Sequence, residues 1–240
     1  MSNFDGGTPF TNPEGQNPGP QKAKDSWNSF IQDERVQQAR QVSKQYFSFF
    51  LSALVRPYRT MRTVGEEQTL NGIITAALVS AFSAFYFLFW FLKWDISPAF
   101  GPGFLKPLFL TAFGIAVAFG LIFAVLRLEK VSFSLKLLLA RFGTLLIPAV
   151  AVLVLANLFL LVSLYTFSLY LLVLAFLFIF AAINAVVFQY PIHDSAGSVD
   201  VIYSIILTNA VTGYIFYKLI TSVVAGAIGG LIGSVSPFNF

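Results

Sequence analysis

The chain has no cysteine, a single histidine and, across residues 142–192, a run of 51 positions without one Asp, Glu, Lys, Arg or His. Without cysteine there are no disulfides, no thiol nucleophile and no Cys-based zinc site, although the redox compartment stays open because a bilayer domain does not need such staples. One histidine cannot supply a multi-His metal set. The uncharged run excludes a soluble domain that would leave it uncovered, and since roughly 20 residues cross the hydrocarbon at about 1.5 Å each, it is long enough for two spans. Charged residues in general are scarce, 11% against 57% hydrophobic, with a mean hydropathy of +0.76. That balance predicts one membrane domain whose apolar surface faces lipid or other spans.

Aromatic residues are abundant. The 28 Phe side chains suit lipid-facing and helix-packing positions better than an aqueous lining, which disfavours a wide water-filled channel. The net charge of +4 is unevenly placed, because Lys22, Lys24, Arg35, Arg40, Lys44, Arg56, Arg59 and Arg62 all precede the first span. Basic charge beside a bilayer orients the chain with its N-terminus cytoplasmic and binds anionic headgroups; no aromatic-basic RNA motif accompanies it, so nucleic acid is not an expected partner. The start of the chain has no basic stretch followed by a short apolar run, so no cleavable signal peptide is expected and the first span serves as the insertion signal.

Residues 1–25 are rich in Gly, Pro, Asn and Gln and are expected to form a disordered polar tail. Trp27, Phe30 and Ile31 interrupt that composition, either to begin the next helix or to dock on the membrane or a partner. Residues 26–69 read as an amphipathic juxtamembrane helix and a basic linker. Val42, Tyr46, Phe49, Phe50, Ala53 and Leu54 recur at helical spacing opposite Arg40, Ser43, Lys44 and Ser52, until Pro57 restricts Arg56 to extended geometry. The bundle proper is expected over 70–235, with 236–240 as a C-terminal tail. The fold class is all-α: a polytopic helical bundle of about five transmembrane helices preceded by the interfacial helix.

The expected spans cover 70–91, 106–126, 140–162, 169–188 and 201–235, with a tight loop over 96–103. Arg56, Arg59 and Arg62 mark one membrane interface, and Trp90 and Trp94 the other. Pro148 is expected to kink the third span. The last segment admits two readings, one tilted helix with Lys218 turned toward its neighbours or a span ending near Lys218 with a Gly-rich tail. Asn157, Asn184 and Asn209 lie at intramembrane depth, where an amide needs a partner; interhelical hydrogen bonding is the expected use, and a polar ligand or ion path including Lys218 is the alternative. Gly226, Gly229, Gly230 and Gly233 stand at three- and four-residue spacing, which allows close helix approach within the chain or in a dimer.

Catalytic candidates are few. His193-Asp194, with Asp200 six residues on, is the one His-carboxylate neighbourhood; a polar turn opening the last helix accounts for it without metal or proton chemistry. Glu66-Glu67 resembles the start of the glutamate-pair motif of membrane prenyl-endopeptidases, but that motif requires Arg where this chain has Asn71. No cofactor, metal site or catalytic set is expected, and the chain is read as non-enzymatic.

The stretch Leu54-Val55-Arg56-Pro57-Tyr58-Arg59-Thr60-Met61-Arg62, followed by Gly65-Glu66-Glu67-Gln68-Thr69-Leu70 and the first span, resembles bacterial members of the Yip-domain family. In that family a Pro-Arg-Glu-Thr-like segment and an acidic stretch often precede five clustered spans. The resemblance extends over about residues 50–235. It implies a helical membrane bundle; eukaryotic members bind Rab-type GTPases, and some bacterial ones are associated with ABC-type exporters. The eukaryotic Asp-Leu-x-Gly-Pro motif and the N-terminal Cys-rich ribbon of many bacterial relatives are both absent here, so the Rab role does not transfer. The expected function is an accessory or organising partner of another membrane complex, such as an ABC-type exporter, in the cell membrane. The rival is a small transporter permease subunit that itself forms the substrate path. Expected partners are anionic lipid headgroups and either a membrane transporter or a second copy of the chain.

Overall fold

A computed structural model describes residues 34–190 and 201–235. The tail over 1–25, Trp27, Phe30, Ile31, the His193-Asp194 turn, Asp200 and residues 236–240 lie outside the described residues. The described residues are 90% helical and contain no strand. They fall into two compact units, divided between Phe47 and Ser48.

Helix α1 (Glu34–Val55) crosses that division. Within the first unit it exposes Val42 and Phe47 beside Arg40 and Lys44. In the second unit Ala53 is fully buried, while Leu51 and Val55 are exposed. Arg56 then interrupts the helix at φ −140° and ψ 66°, and Pro57 opens α2 (Pro57–Thr63). The basic linker therefore contains a short helix, because a proline at the first helical position brings its φ ready-set and lacks only an N–H that would have no helical partner. Met61 of α2 is fully buried, and α2 packs on α5 (Leu135–Leu161).

A single 3₁₀ turn, Glu66–Gln68, leads into α3 (Thr69–Lys93). Thr69 Oγ1 lies 2.5 Å from Glu66 O and 3.2 Å from Lys136 O, which ties this turn to the start of α5. After α3 the loop is shorter than expected. A π-helical turn over Gly101–Leu105 runs directly into α4 (Lys106–Leu128), since the Gly103 amide already donates to Ala99 O at 2.9 Å. Helix α5 begins at Leu135, before the first residue expected to enter the membrane, and it continues through Pro148. Helix α6 (Tyr165–Gln189) follows after a short turn, and α7 (Val201–Val235) is one continuous helix.

Among the described residues, five helical stretches are long and apolar enough to cross a membrane: Glu66–Lys93, Gly101–Leu128, Leu135–Leu161, Tyr165–Gln189 and Ile202–Leu231. The protein is a multi-pass integral membrane protein. Helix α5 packs against both α3 and α6, and α4 against both α3 and α7. Helices α3 and α5 cross in close contact. A Cβ on Gly143 would collide with the Gly72 Cα and stand 2.7 Å from its carbonyl oxygen, and one on Gly72 would stand 2.5 Å from Leu139 O. Two glycines let the backbones touch, which in lipid replaces the hydrophobic drive that water would provide. Around this crossing Phe142, Leu146, Ile147 and Leu153 of α5 are almost completely buried.

Candidate functional site

The described polar groups fall into three layers along the bundle: a basic end, an intramembrane layer and an aromatic end. At the basic end Arg56, Arg59 and Arg62 are exposed, the latter two on α2, which packs on α5. Arg127, Lys130 and Lys136 lie exposed at the same end, where α4 finishes and α5 starts. Between them the side chains interleave: the Arg127 guanidinium sits 5.5 Å from the Phe123 ring and 5.8 Å from that of Phe133. Phe133 meets Tyr190 edge-on at 6.0 Å, and Arg141 lies 5.5 Å from the Tyr190 ring. Glu129 is buried at this junction with Oε2 unpartnered, and Arg141 Nε and Tyr190 Oη are likewise without hydrogen-bond partners.

The opposite end is aromatic. Trp94 is exposed and packs 5.8 Å from Tyr165 at the start of α6, while Trp90 is half-buried against Phe91. Lys93 Nζ donates to Leu161 O and Ser163 Oγ, both at 3.0 Å. An ammonium thus sits on the last carbonyls of α5, where the helix dipole favours positive charge.

In the intramembrane layer the three asparagines separate into a pair and a single residue. Asn209 Nδ2 on α7 donates to Asn184 Oδ1 on α6 at 2.8 Å. Asn157 is buried alone on α5, and its Nδ2 donates to Phe82 O of α3 at 3.0 Å and to Leu153 O at 2.8 Å. Lys218 corrects an expectation: it is exposed on α7 instead of turned toward neighbouring helices, and its ammonium lies 5.4 Å from the ring of Tyr214 on the same helix. The buried face of α7 is taken by Phe216, Leu219, Val223 and Ala227. Lys218 is adjacent to Leu219 in the chain but points away from that stripe.

The glycines of α7 also separate. A Cβ on Gly226 would stand 2.6 Å from Pro102 Cβ, and one on Gly230 would stand 2.6 Å from Ser97 O and 2.8 Å from Ile96 Cγ2. These two press the helix onto the loop between α3 and α4 and its π-helical turn. Gly229 has open space around it. The surroundings of Gly233 lie outside the described residues.

Compared with known proteins, the chain is 35% identical over 172 residues to the uncharacterized protein YvbI of Bacillus subtilis (strain 168), covering 70% of this chain and 72% of that protein. The chain belongs to the YvbI family. No family model and no solved structure matches it.

Several contacts of this YvbI-family bundle escape sequence reasoning. The Ser83 and Thr111 hydroxyls meet at 3.2 Å between α3 and α4. Ser168 at the start of α6 donates to Ala156 O at 2.8 Å and lies 3.2 Å from Tyr86 Oη. Single hydroxyls are common in spans and carry no spacing that would single these out. The Gly72–Gly143 crossing did leave a trace, since Gly72 and Ala76 place small residues four apart on α3. The buried position of Glu129 left none, because an acid next to Lys130 reads as an exposed loop residue.

Proposed function

We propose that this chain is a non-enzymatic accessory or organising partner of another membrane complex, with an ABC-type exporter as the class that fits best. One observation carries this reading: the intramembrane asparagines and the Ser83–Thr111 pair join one helix to another. Asn157 grips the α3 backbone, Asn184 and Asn209 grip each other, and Ser83 meets Thr111. Large apolar side chains of α5 fill the space between them. Such an interior stabilises a bundle instead of lining a polar route for a solute.

The basic end faces the cytoplasm of the cell membrane in this proposal. Arg56, Arg59, Arg62, Arg127, Lys130 and Lys136 are exposed there, against Lys93 and Lys106 at the aromatic end, and cytoplasmic segments carry the excess of Lys and Arg. The exposed arginines then lie among anionic headgroups, with α1 as an interfacial amphipathic helix. Membership of the wider Yip-domain family belongs to the same proposal, supported by Pro57 opening α2, Glu66 and Glu67 heading the first span, and five spans in sequence.

The test is covalent crosslinking in native membranes, followed by affinity purification of the chain and mass spectrometry. A stoichiometric ATPase or permease is the expected product. Recovery of the chain with lipid alone would overturn the accessory role.

A further inference from the structure

Helix α7 carries a cation at the depth where a bilayer disfavours it most, and neighbouring residues define that depth. Phe216, two residues before Lys218, packs its ring 4.9 Å from that of Phe176 in the middle of α6. A Cβ on Gly114, in the middle of α4, would lie 3.2 Å from the Phe216 ring. Further along α7, Gly226 and Gly230 meet Pro102 and Ser97 at the aromatic end of the bundle. At about 1.5 Å per residue, Lys218 lies about 12 Å inward of Gly226 along the helix, roughly twice the reach of its own stem, so snorkelling to that interface falls short.

The immediate surroundings of Lys218 do not neutralise it. Its ammonium has the Tyr214 ring at 5.4 Å, and no ion pair joins it to any carboxylate among the described residues. No Asp or Glu occurs anywhere in helices α3 to α7. A second copy of the chain would therefore bring no acid to this depth, and a symmetric contact through this face would set Lys218 against its equal. The same face is shaped for a helix. Tyr214, Lys218, Thr221 and Ala225 recur at helical spacing along one strip of α7, with Tyr214, Lys218 and Ala225 exposed.

We propose that this strip of α7 is a docking surface for a transmembrane helix of a different membrane protein, one that presents an Asp or Glu at mid-depth to pair with Lys218. Charge complementarity decides the partner: a carboxylate buried beside Lys218 would leave each ion compensated, while either alone in hydrocarbon would not be. The small side chain of Ala225 allows the partner helix to approach. The inference rests on the accessory role proposed above and gives it a surface and a partner chemistry.

The probe is a Leu-Ala transmembrane helix of about 21 residues with Glu at its centre, compared with the same helix carrying Leu or Lys there. Association with the full-length chain in phosphatidylcholine vesicles is read by energy transfer. The Glu helix is expected to bind about tenfold tighter than the Leu helix, the Lys helix more weakly than either. Lys218→Met should abolish the Glu preference and Lys218→Arg should keep it, each variant being checked for unchanged thermal unfolding. Equal binding of the three helices, or a Glu preference that survives Lys218→Met, would overturn the proposal. Energy transfer between two labelled copies of the chain that is lost in Lys218→Met would overturn it in favour of self-association. A stoichiometric native partner whose crosslinks avoid α7 would overturn this surface while leaving the accessory role standing.

Discussion

Helices α5 and α7 are both long, apolar and interrupted near their middles by small or polar residues, yet they occupy opposite situations. The apolar part of α5 is both the more apolar and the more buried of the two. In water the more apolar helix would be driven inside. In lipid that drive is absent, and what encloses α5 is shape and hydrogen bonding: Gly143 admits the α3 backbone, and Asn157 reaches a carbonyl across the same interface. Helix α7 has the same kinds of residue differently arranged. Gly226 and Gly230 press on a loop, Gly229 faces open space and Lys218 points outward.

The largest expected break in this contrast comes from Gly143→Leu. Its side chain has nowhere to go but the Gly72 backbone, so reversible unfolding in mixed micelles should show a loss of about 3 kcal/mol or more. Gly229→Leu on α7 should stay within about 0.5 kcal/mol of the parent in the same assay. Equal losses at the two positions would remove the distinction between an enclosed and an open helix.

A smaller effect is expected from the polar groups. Asn157→Leu keeps the volume close and deletes both amide bonds, and should cost about 1 to 2 kcal/mol. Lys218→Leu, which breaks no hydrogen bond of its side chain in the isolated chain, should not destabilise the bundle at all. A drop in stability at Lys218 as large as that at Asn157 would place the lysine inside, against its exposed position.

A still smaller effect is expected at the polar bond that ties α7 to α6. A double-mutant cycle on Asn184→Leu and Asn209→Leu should give a coupling of about 0.6 kcal/mol, the usual scale for an interhelical hydrogen bond in a membrane. Purely additive losses would mean that the 2.8 Å contact contributes nothing beyond its parts.

These residues also separate what was legible from what was not. The span positions follow from apolar length, and the helices extend only a few residues beyond the expected limits, because charge and turn residues mark where hydrocarbon ends. Trp94, Arg59 and Arg62 stand exposed at the ends of the bundle. Gly101, Pro102 and Gly103 have loop composition but enter a helical turn, so the loop is shorter than the stretch 96–103 suggests. A charge in a span seeks partners, which favours an inward Lys218 over a span that ends near it; among the described residues helices α3 to α7 offer it no carboxylate, and the apolar stripe of Phe216, Leu219 and Val223 claims the inner face.

The helical class, about five spanning stretches and the clustering of basic residues at one end can be read from the chain alone. Those properties depend on composition and period along one dimension. That Gly72 meets Gly143, that Asn184 finds Asn209 while Asn157 finds a backbone, and that Lys218 faces outward follow from how the helices pack. Lipid tails are as apolar as the helices themselves, so hydrophobicity assigns no inside or outside among the spans, and the choice of faces falls to small residues and hydrogen bonds whose partners lie far apart in the chain.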